Sequence, residues 1–119
     1  MIEKEINSIL EKFMSCFTDR ILLKKLSDLV EIKGFGTECY GCMTSEGLKF
    51  GDEDFFGYNC IKITICPPAN RNEVMVIVTN QVFYDALRNR VESYIKNNPQ
   101  DKEKATQYME IIKNNLSAN

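Results

Sequence analysis

The sequence predicts an α+β fold in which a small, mainly antiparallel sheet of about three strands packs with about four helices, in the order ααβββαα. Three observations predict it. Apolar residues at three- and four-residue spacing indicate helices at both ends of the chain, two short β-branched runs indicate strands in the middle, and a turn between these runs allows them to pair. At 119 residues and 44% hydrophobic content, the chain is expected to form one domain over residues 1–119.

Four segments carry helical patterns. The first helix is expected over about residues 2–18, where apolar side chains form one stripe: Ile2, Ile6, Ile9, Leu10, Phe13, Met14 and Phe17. A second helix, or an extension of the first, should reach about residue 32 and be closed by Gly34. The third is expected to begin at Thr79 or Asn80, with this inner stripe: Val82, Phe83, Leu87, Val91, Tyr94 and Ile95. The fourth should follow Asn98 as a cap and Pro99 in the first helical position.

The strands lie between these helices. Residues 34–58 hold all six glycines and should form loops with one short strand near Glu38–Thr44. Ile61, Ile63 and Ile65 alternate with polar residues, as expected of a strand with one buried face. Val74–Val78 is apolar without interruption, which predicts a central strand covered on both faces. The last two strands are expected to pair antiparallel across a loop of about six residues.

The charge of the chain is unevenly distributed. The net charge is −2, yet residues 34–58 alone carry −4. In that block a single base, Lys49, stands against five acids: Glu38, Glu46, Asp52, Glu53 and Asp54. Such a block repels phosphates, and no run of lysine and arginine elsewhere forms a nucleic-acid footprint. Direct binding of nucleic acid is therefore not expected.

Residues 46–58, here named the acidic–aromatic segment, hold four acids and four aromatic rings between glycines. Acids steer a basic partner and rings supply apolar contact area, so this composition predicts a protein-binding surface. The predicted contact residues are Glu38, Glu46, Asp52, Glu53, Asp54, Phe55, Phe56 and Tyr58. Of these, Asp52, Glu53 and Asp54 would face basic groups, the three rings would pack beside them, and Glu38 and Glu46 would lie at the rim. The alternative is a solvated acidic turn with one or two rings anchored in the core.

Catalysis is not expected, because the chain has no histidine and so no Ser–His or Cys–His relay. Cys39 and Cys42 form a lone C-x-x-C pair without a basic neighbour to activate a thiolate. A four-thiolate zinc site with Cys60 and Cys66 is disfavoured, since these two would lie about 20 Å apart along an extended strand. The cysteines are expected to be small buried or half-buried thiols, with no metal and no cofactor.

The odd number of cysteines, five, favours a reducing compartment, and the charged N-terminal residues do not form a secretion signal. No apolar run is long enough to span a membrane. The expected location is therefore the cytoplasm, with no membrane partner.

Six short stretches carry a family resemblance over about two thirds of the chain: Gly34–Cys39, Asp54–Gly57, Ile61–Ile65, Val74–Val78, Val82–Tyr84 and Tyr94–Lys104. In these the chain resembles the immunity proteins of bacterial contact-dependent growth inhibition systems that neutralise ribonuclease toxins. The resemblance implies a cytoplasmic protein that binds the C-terminal nuclease domain of a cognate toxin, one to one, and blocks it. The alternatives are a non-enzymatic adaptor for another basic protein and a small zinc-dependent structural domain.

Overall fold

The computed structural model describes residues 3–31, 35–36, 39–45, 51, 53, 56–67 and 71–118. In chain order its elements are α1 (Glu3–Met14), α2 (Leu22–Val30), β1 (Phe35–Gly36), β2 (Tyr40–Thr44), β3 (Cys60–Ile65), β4 (Val74–Thr79), α3 (Asn80–Asn97), a 3-10 turn (Pro99–Asp101) and α4 (Lys102–Asn115). The predicted α+β class and its order ααβββαα are confirmed, and the two-residue β1 adds a short strand at one margin.

The strands form one antiparallel sheet in the order β1-β2-β3-β4. Cys42 lies opposite Ile63, and Ile63 lies opposite Val76. Directly opposed residues share a face, so this row and its neighbours form the inner face of the sheet, where all three side chains are buried. The predicted antiparallel pairing of β3 with β4 is confirmed, across a loop that spans residues 66–73 and is slightly longer than expected.

The prediction that the Val74–Val78 run forms a central strand is wrong. β4 is the last strand of the sheet and pairs with β3 alone among the described strands. Val76 and Val78 are buried, whereas Met75 and Ile77 are 52% and 41% exposed. An uninterrupted apolar run is equally compatible with two covered faces or one, and here α1 and α3 pack against the sheet from the inner side.

Aromatic rings join the helices to the inner face of the sheet. The Phe13 ring of α1 lies 5.8 Å from the Phe17 ring and 6.3 Å from the rings of both Tyr40 and Phe83. These centroid distances suit edge-to-face packing, and they link α1 to β2 and α3. Regular helix ends at Met14, earlier than expected, because the next turn tightens through bonds from Cys16 N to Phe13 O and Phe17 N to Met14 O. Phe17 nonetheless remains fully buried.

The third helix begins as predicted, with the Thr79 hydroxyl accepting a hydrogen bond from Val82 N at 3.1 Å. Val82 itself is 41% exposed, so its assignment to the inner stripe is wrong. The buried stripe follows Phe83, Leu87 and Val91 at four-residue spacing, and Val82 lies one residue, about 100° around the helix, from that line.

The entry to α4 differs in part from the expectation. Pro99 opens a 3-10 turn, and its ring occupies the first turn position as predicted. Asn98 does not cap that turn with its side chain, because its Nδ2 donates instead to Tyr94 O at 3.1 Å. α4 then packs against α2, where Asn115 Nδ2 donates to Val30 O at 2.8 Å. Gly34, expected to close the second helix, lies outside the described residues; that helix ends at Val30.

Candidate protein-binding surface

The acidic–aromatic segment lies in the connection between β2 and β3, over residues 45–59. The structure describes three of the predicted contact residues. Glu53 is exposed, Tyr58 is 64% exposed and Phe56 is half-buried. The other five lie outside the described residues: Glu38, Glu46, Asp52, Asp54 and Phe55. Tyr40, by contrast, is half-buried against the core and contacts Phe13, so this ring anchors the sheet.

The two ends of this connection are joined by hydrogen bonds. Ser45 N donates to Cys60 O at 3.2 Å, and Cys60 N donates to Ser45 Oγ at 3.2 Å. Ser45 is the one buried polar residue in the described part of the chain. These two bonds give hydrogen-bond partners to polar groups whose burial without a partner would destabilise the fold. The segment therefore leaves the sheet and returns to it at a closed, fixed base.

The backbone before β3 is held in an unusual conformation. Gly57 has a φ of 127° and Asn59 a φ of 54°, and both values belong to the left-handed half of conformational space that glycine and asparagine tolerate best. Asn59 O accepts a hydrogen bond from Asn80 N at 3.0 Å, which ties this bend to the start of α3. Tyr58 lies between these two residues and is 64% exposed.

Phe56 is positioned by a cation. The Lys62 ammonium lies 5.2 Å from the centroid of the Phe56 ring, within the range of a cation–π contact. Lys62 projects from the middle of β3, so this contact holds the end of the acidic–aromatic segment against the outer face of the sheet. The sequence left open whether Phe56 is a core staple or an exposed contact; its half-buried position beside Lys62 is intermediate between the two.

Tyr58 stands at the mouth of a cleft of about 440 Å³ between the start of α3 and the end of α4. Its lining residues are Tyr58, Asn59, Thr79, Asn80, Gln81, Leu116 and Ser117. Asn80 Nδ2 donates to Leu116 O at 3.2 Å across the base of the cleft. Asn80 Oδ1 is buried and has no hydrogen-bond partner among the described residues. The cleft is open and carries few charges, which suits a partner side chain more than a small substrate.

The outer face of the sheet is a surface that the sequence did not predict. Here named the open sheet face, it consists of Gly41, Met43, Lys62, Thr64, Met75 and Ile77. Met43 is 45% exposed, so with Met75 and Ile77 this face presents three large apolar side chains to solvent. A shallow depression of about 170 Å³ lies over Gly41 between β2 and β3. No local signal within Val74–Thr79 separates the two faces, because both carry apolar side chains.

Two of the cysteines, Cys16 and Cys60, have thiols that burial makes harder to ionise. Burial raises the pKa of the Cys60 thiol, and its hydrogen bond with Ser45 offsets this only in part. Burial likewise raises the pKa of Cys16 to about 11, against the opposing effect of Lys25. Cys42 and Cys60 are buried, while Cys16, Cys39 and Cys66 are half-buried, as predicted. Within the described ranges, no group of three potential ligands among Cys, Asp and Glu side chains could hold a metal ion.

Membrane insertion has no candidate element among the helices described: none combines the length and the apolar content that a bilayer span requires. The described part of this surface carries an exposed tyrosine and an exposed acid on one connection, with an apolar sheet face beside it.

Comparison with protein families matches residues 6–109 to the family described as CDI immunity protein. The match covers all four helices in whole or part and every strand of the sheet. No curated protein and no solved structure gives a significant match.

Proposed function

The chain belongs to the CDI immunity protein family, and on that premise we propose that it neutralises a nuclease toxin, specifically a ribonuclease, in a one-to-one complex. Membership of this family is sufficient for two general statements about the protein. The protein neutralises a toxin of a contact-dependent growth inhibition system, and proteins of this family generally act without catalysis.

Charge supports a nuclease as the partner. A nuclease binds a polyanionic substrate, so its active cleft presents basic groups. Residues 34–58 carry −4 and would complement such a cleft, gaining steered association and charge-assisted hydrogen bonds. In this proposal Asp52, Glu53 and Asp54 face basic groups of the toxin, while Glu38 and Glu46 lie at the rim.

The single observation that carries the placement is the exposure of Tyr58 and Glu53 on one rigidly based connection. Tyr58 is 64% exposed although its flanking residues Gly57 and Asn59 are fixed by backbone conformation and hydrogen bonding. An exposed ring whose neighbouring backbone is already hydrogen-bonded requires less backbone ordering on binding, which suits an interface anchor. Phe55 and Phe56 would pack beside it.

The site of action we propose is the cytosol, as a one-to-one heterodimer with the C-terminal domain of the toxin. Half-buried and buried cysteine thiols without paired bridges at Cys16, Cys39 and Cys60 suit a reducing compartment. No cofactor, metal or nucleic acid enters the proposed mechanism; the protein acts by occupying the toxin.

The first test is co-expression with the C-terminal domain encoded immediately upstream. Growth should be lost with that domain alone and restored when the chain is present. The purified domain should cleave RNA, and one equivalent of the chain should stop cleavage. Cleavage of DNA in place of RNA would replace the ribonuclease assignment, and toxicity without rescue or complex would remove the immunity assignment for this pair and favour an adaptor.

A charge reversal tests the surface. Asp52→Lys with Asp54→Lys should weaken toxin affinity by about 100-fold or more, because both charges would then repel basic groups. The matched control is Glu92→Lys with Glu110→Lys, which makes the same charge change at two exposed acids on α3 and α4. Equal losses for the two pairs would indicate long-range steering alone, and unchanged binding of the first pair would remove the placement.

A further inference from the structure

We propose that the open sheet face is a second, apolar part of the toxin-binding surface, next to the described end of the acidic–aromatic segment at Phe56 and Tyr58. The inference rests on the proposed function, since it takes a basic toxin domain as the occupant. It adds a second contact area, on β2, β3 and β4, to the connection that the sequence singled out.

The register of the sheet defines this face. Met43, Lys62 and Ile77 form one row across β2, β3 and β4, and Gly41, Thr64 and Met75 form the next. Residues that oppose each other in an antiparallel sheet point to the same side. The two rows therefore make one continuous surface, on the side opposite the buried row that contains Ile63.

Three of the six residues on this face are large apolar side chains exposed to solvent. Met43, Met75 and Ile77 are each between 41% and 52% exposed, and no acid lies in the two rows. Contiguous exposed apolar residues on a protein surface mark contact sites. Lys62, the one cation of these two rows, lies between Met43 and Ile77, and its ammonium is 5.2 Å from the centroid of the Phe56 ring.

The strand at the margin of the sheet lacks the usual protection against association. β4 reads Val-Met-Val-Ile-Val-Thr, with neither proline nor a charged residue. Edge strands normally carry such residues to prevent association with other chains. Their absence from β4, together with the exposed Met75 and Ile77, indicates that this margin is covered by a partner in the working state of the protein.

Charge decides between the toxin and a second copy of this chain. The connection that carries the acidic–aromatic segment leaves β2 after Thr44 and enters β3 at Cys60, next to the row of Met43, Lys62 and Ile77. A second copy packed on this face would bring two blocks of −4 together, which opposes association. A basic toxin domain would be attracted by the same block.

The resulting surface combines apolar anchors on the open sheet face with the exposed Tyr58 and Glu53 of the adjoining connection. Two of its three apolar anchors are methionines, Met43 and Met75, whose flexible side chains adapt to the shape of a partner. The depression over Gly41 would receive one side chain of the toxin. Phe56 joins the two areas, because its chain position is in the segment and its ring contacts Lys62.

The test measures affinity for the toxin domain encoded upstream, made inactive by substitution and purified. Ile77→Thr should weaken binding about 10-fold, and Met75→Thr with Ile77→Thr about 100-fold, since each removes an apolar anchor. Threonine is chosen because it is well tolerated in strands. The matched control is Ile111→Thr on α4, because Ile111 is 42% exposed and Ile77 is 41% exposed. It should leave affinity within about twofold of the wild type.

Hydrogen exchange distinguishes contact between β4 and the toxin from a purely structural role of β4. The amides of β4 should become protected on adding the toxin domain, while those of α4 around Ile111 should not. The thermal midpoint of the double threonine variant, measured alone, shows whether it is folded; if it is not, protection in the wild-type protein decides the question.

The outcomes separate the two proposals. If the threonine variants bind like the wild type while Asp52→Lys with Asp54→Lys binds weakly, the open sheet face is outside the interface and the proposed function stands. If the wild-type chain neither binds the domain nor restores growth, the proposed function fails and this inference fails with it. A wild-type dimer that Ile77→Thr dissociates, with toxin affinity unchanged, would make the face a self-association surface and overturn the inference.

Discussion

The Cys60 thiol occupies the space that a β-carbon on residue 57 would need. A Cβ built on Gly57 would lie 3.0 Å from Cys60 Sγ, and the same thiol is 3.7 Å from Phe56 O, to which it donates a hydrogen bond. The close approach of Gly57 and Cys60 fixes the path of the chain from the acidic–aromatic segment into β3. A small residue with a φ of 127° is required at that point.

Gly57→Ala should therefore destabilise the fold by about 2 kcal/mol, from an unfavourable φ and the contact with sulfur. Urea denaturation checks the value. Gly51→Ala is the control, because Gly51 has a φ of 101° but no atom of the described residues within 4 Å of the position that a β-carbon would take, so it reports mainly the conformational cost. In a Cys60→Ala background, Gly57→Ala should cost less; an identical cost would show that sulfur plays no part.

Tyr58→Ala should leave stability unchanged within about 0.5 kcal/mol, because a side chain that is 64% exposed makes few contacts within the fold. Its affinity for the toxin domain should fall at least about 10-fold. Isothermal titration and thermal melts on the same samples separate the two effects. Tyr58→Phe keeps the ring and should retain most of the affinity; an equal loss in both variants would assign the effect to the hydroxyl.

Thr79→Ala should cost about 1 kcal/mol, because it removes the hydroxyl that accepts the hydrogen bond of Val82 N at the start of α3. Thr79→Ser keeps that oxygen and should restore most of the loss. The measurement is again chemical denaturation. The dependence of the unfolding free energy on denaturant concentration is compared between the variants, to confirm that they unfold in the same transition. Equal destabilisation in the serine and alanine variants would contradict the capping role.

Alkaline pH should weaken the fold through Tyr94. Its hydroxyl donates to Asp101 Oδ2 at 2.5 Å, and this bond, with burial, raises the pKa of Tyr94 to about 12. The folded state therefore keeps a proton that the unfolded state releases near pH 10. The stabilisation is complete below about pH 10 and is lost as pH rises from about 10 to about 12.

The comparison variant is Tyr94→Phe, which should cost about 1 kcal/mol at pH 7 by removing the donor to Asp101. The difference in unfolding free energy between it and the wild type should shrink from pH 10 upward. Denaturation at pH 7, 10 and 11 measures this difference, and Cys16, which titrates in both proteins, cancels from it. A difference independent of pH would contradict the assignment.

Local patterns were sufficient for most of the fold. Ile61, Ile63 and Ile65 alternate so clearly with polar residues that only one face of a strand could be buried, and the structure buries all three. The cap of α3 could be narrowed to Thr79 or Asn80 because both precede an apolar stripe, and in the structure Thr79 is the cap. Such features depend on neighbours a few residues apart, which the sequence displays.

Features that depend on distant neighbours were not predictable. Val74–Val78 is apolar throughout, and nothing within it shows that helices cover only the side of Val76. The open sheet face was missed for this reason, since Met43 and Ile77 are brought together by strand pairing across 34 residues of chain. Composition did identify the segment bearing Tyr58, because charge and ring content are local properties; its role in binding stays a prediction.

The uncharged margin of β4 also bears on how much of this protein a cell can safely make. An edge strand without charged residues or proline is a template to which strands of other chains can add. The exposed Met75 and Ile77 would strengthen that association. A partner that covers β4 would suppress this aggregation, so the molecules without a bound partner would be the ones that aggregate. We expect matched dosage of the two genes to favour solubility, and overproduction of the lone protein to yield inclusion bodies that co-produced toxin domain prevents.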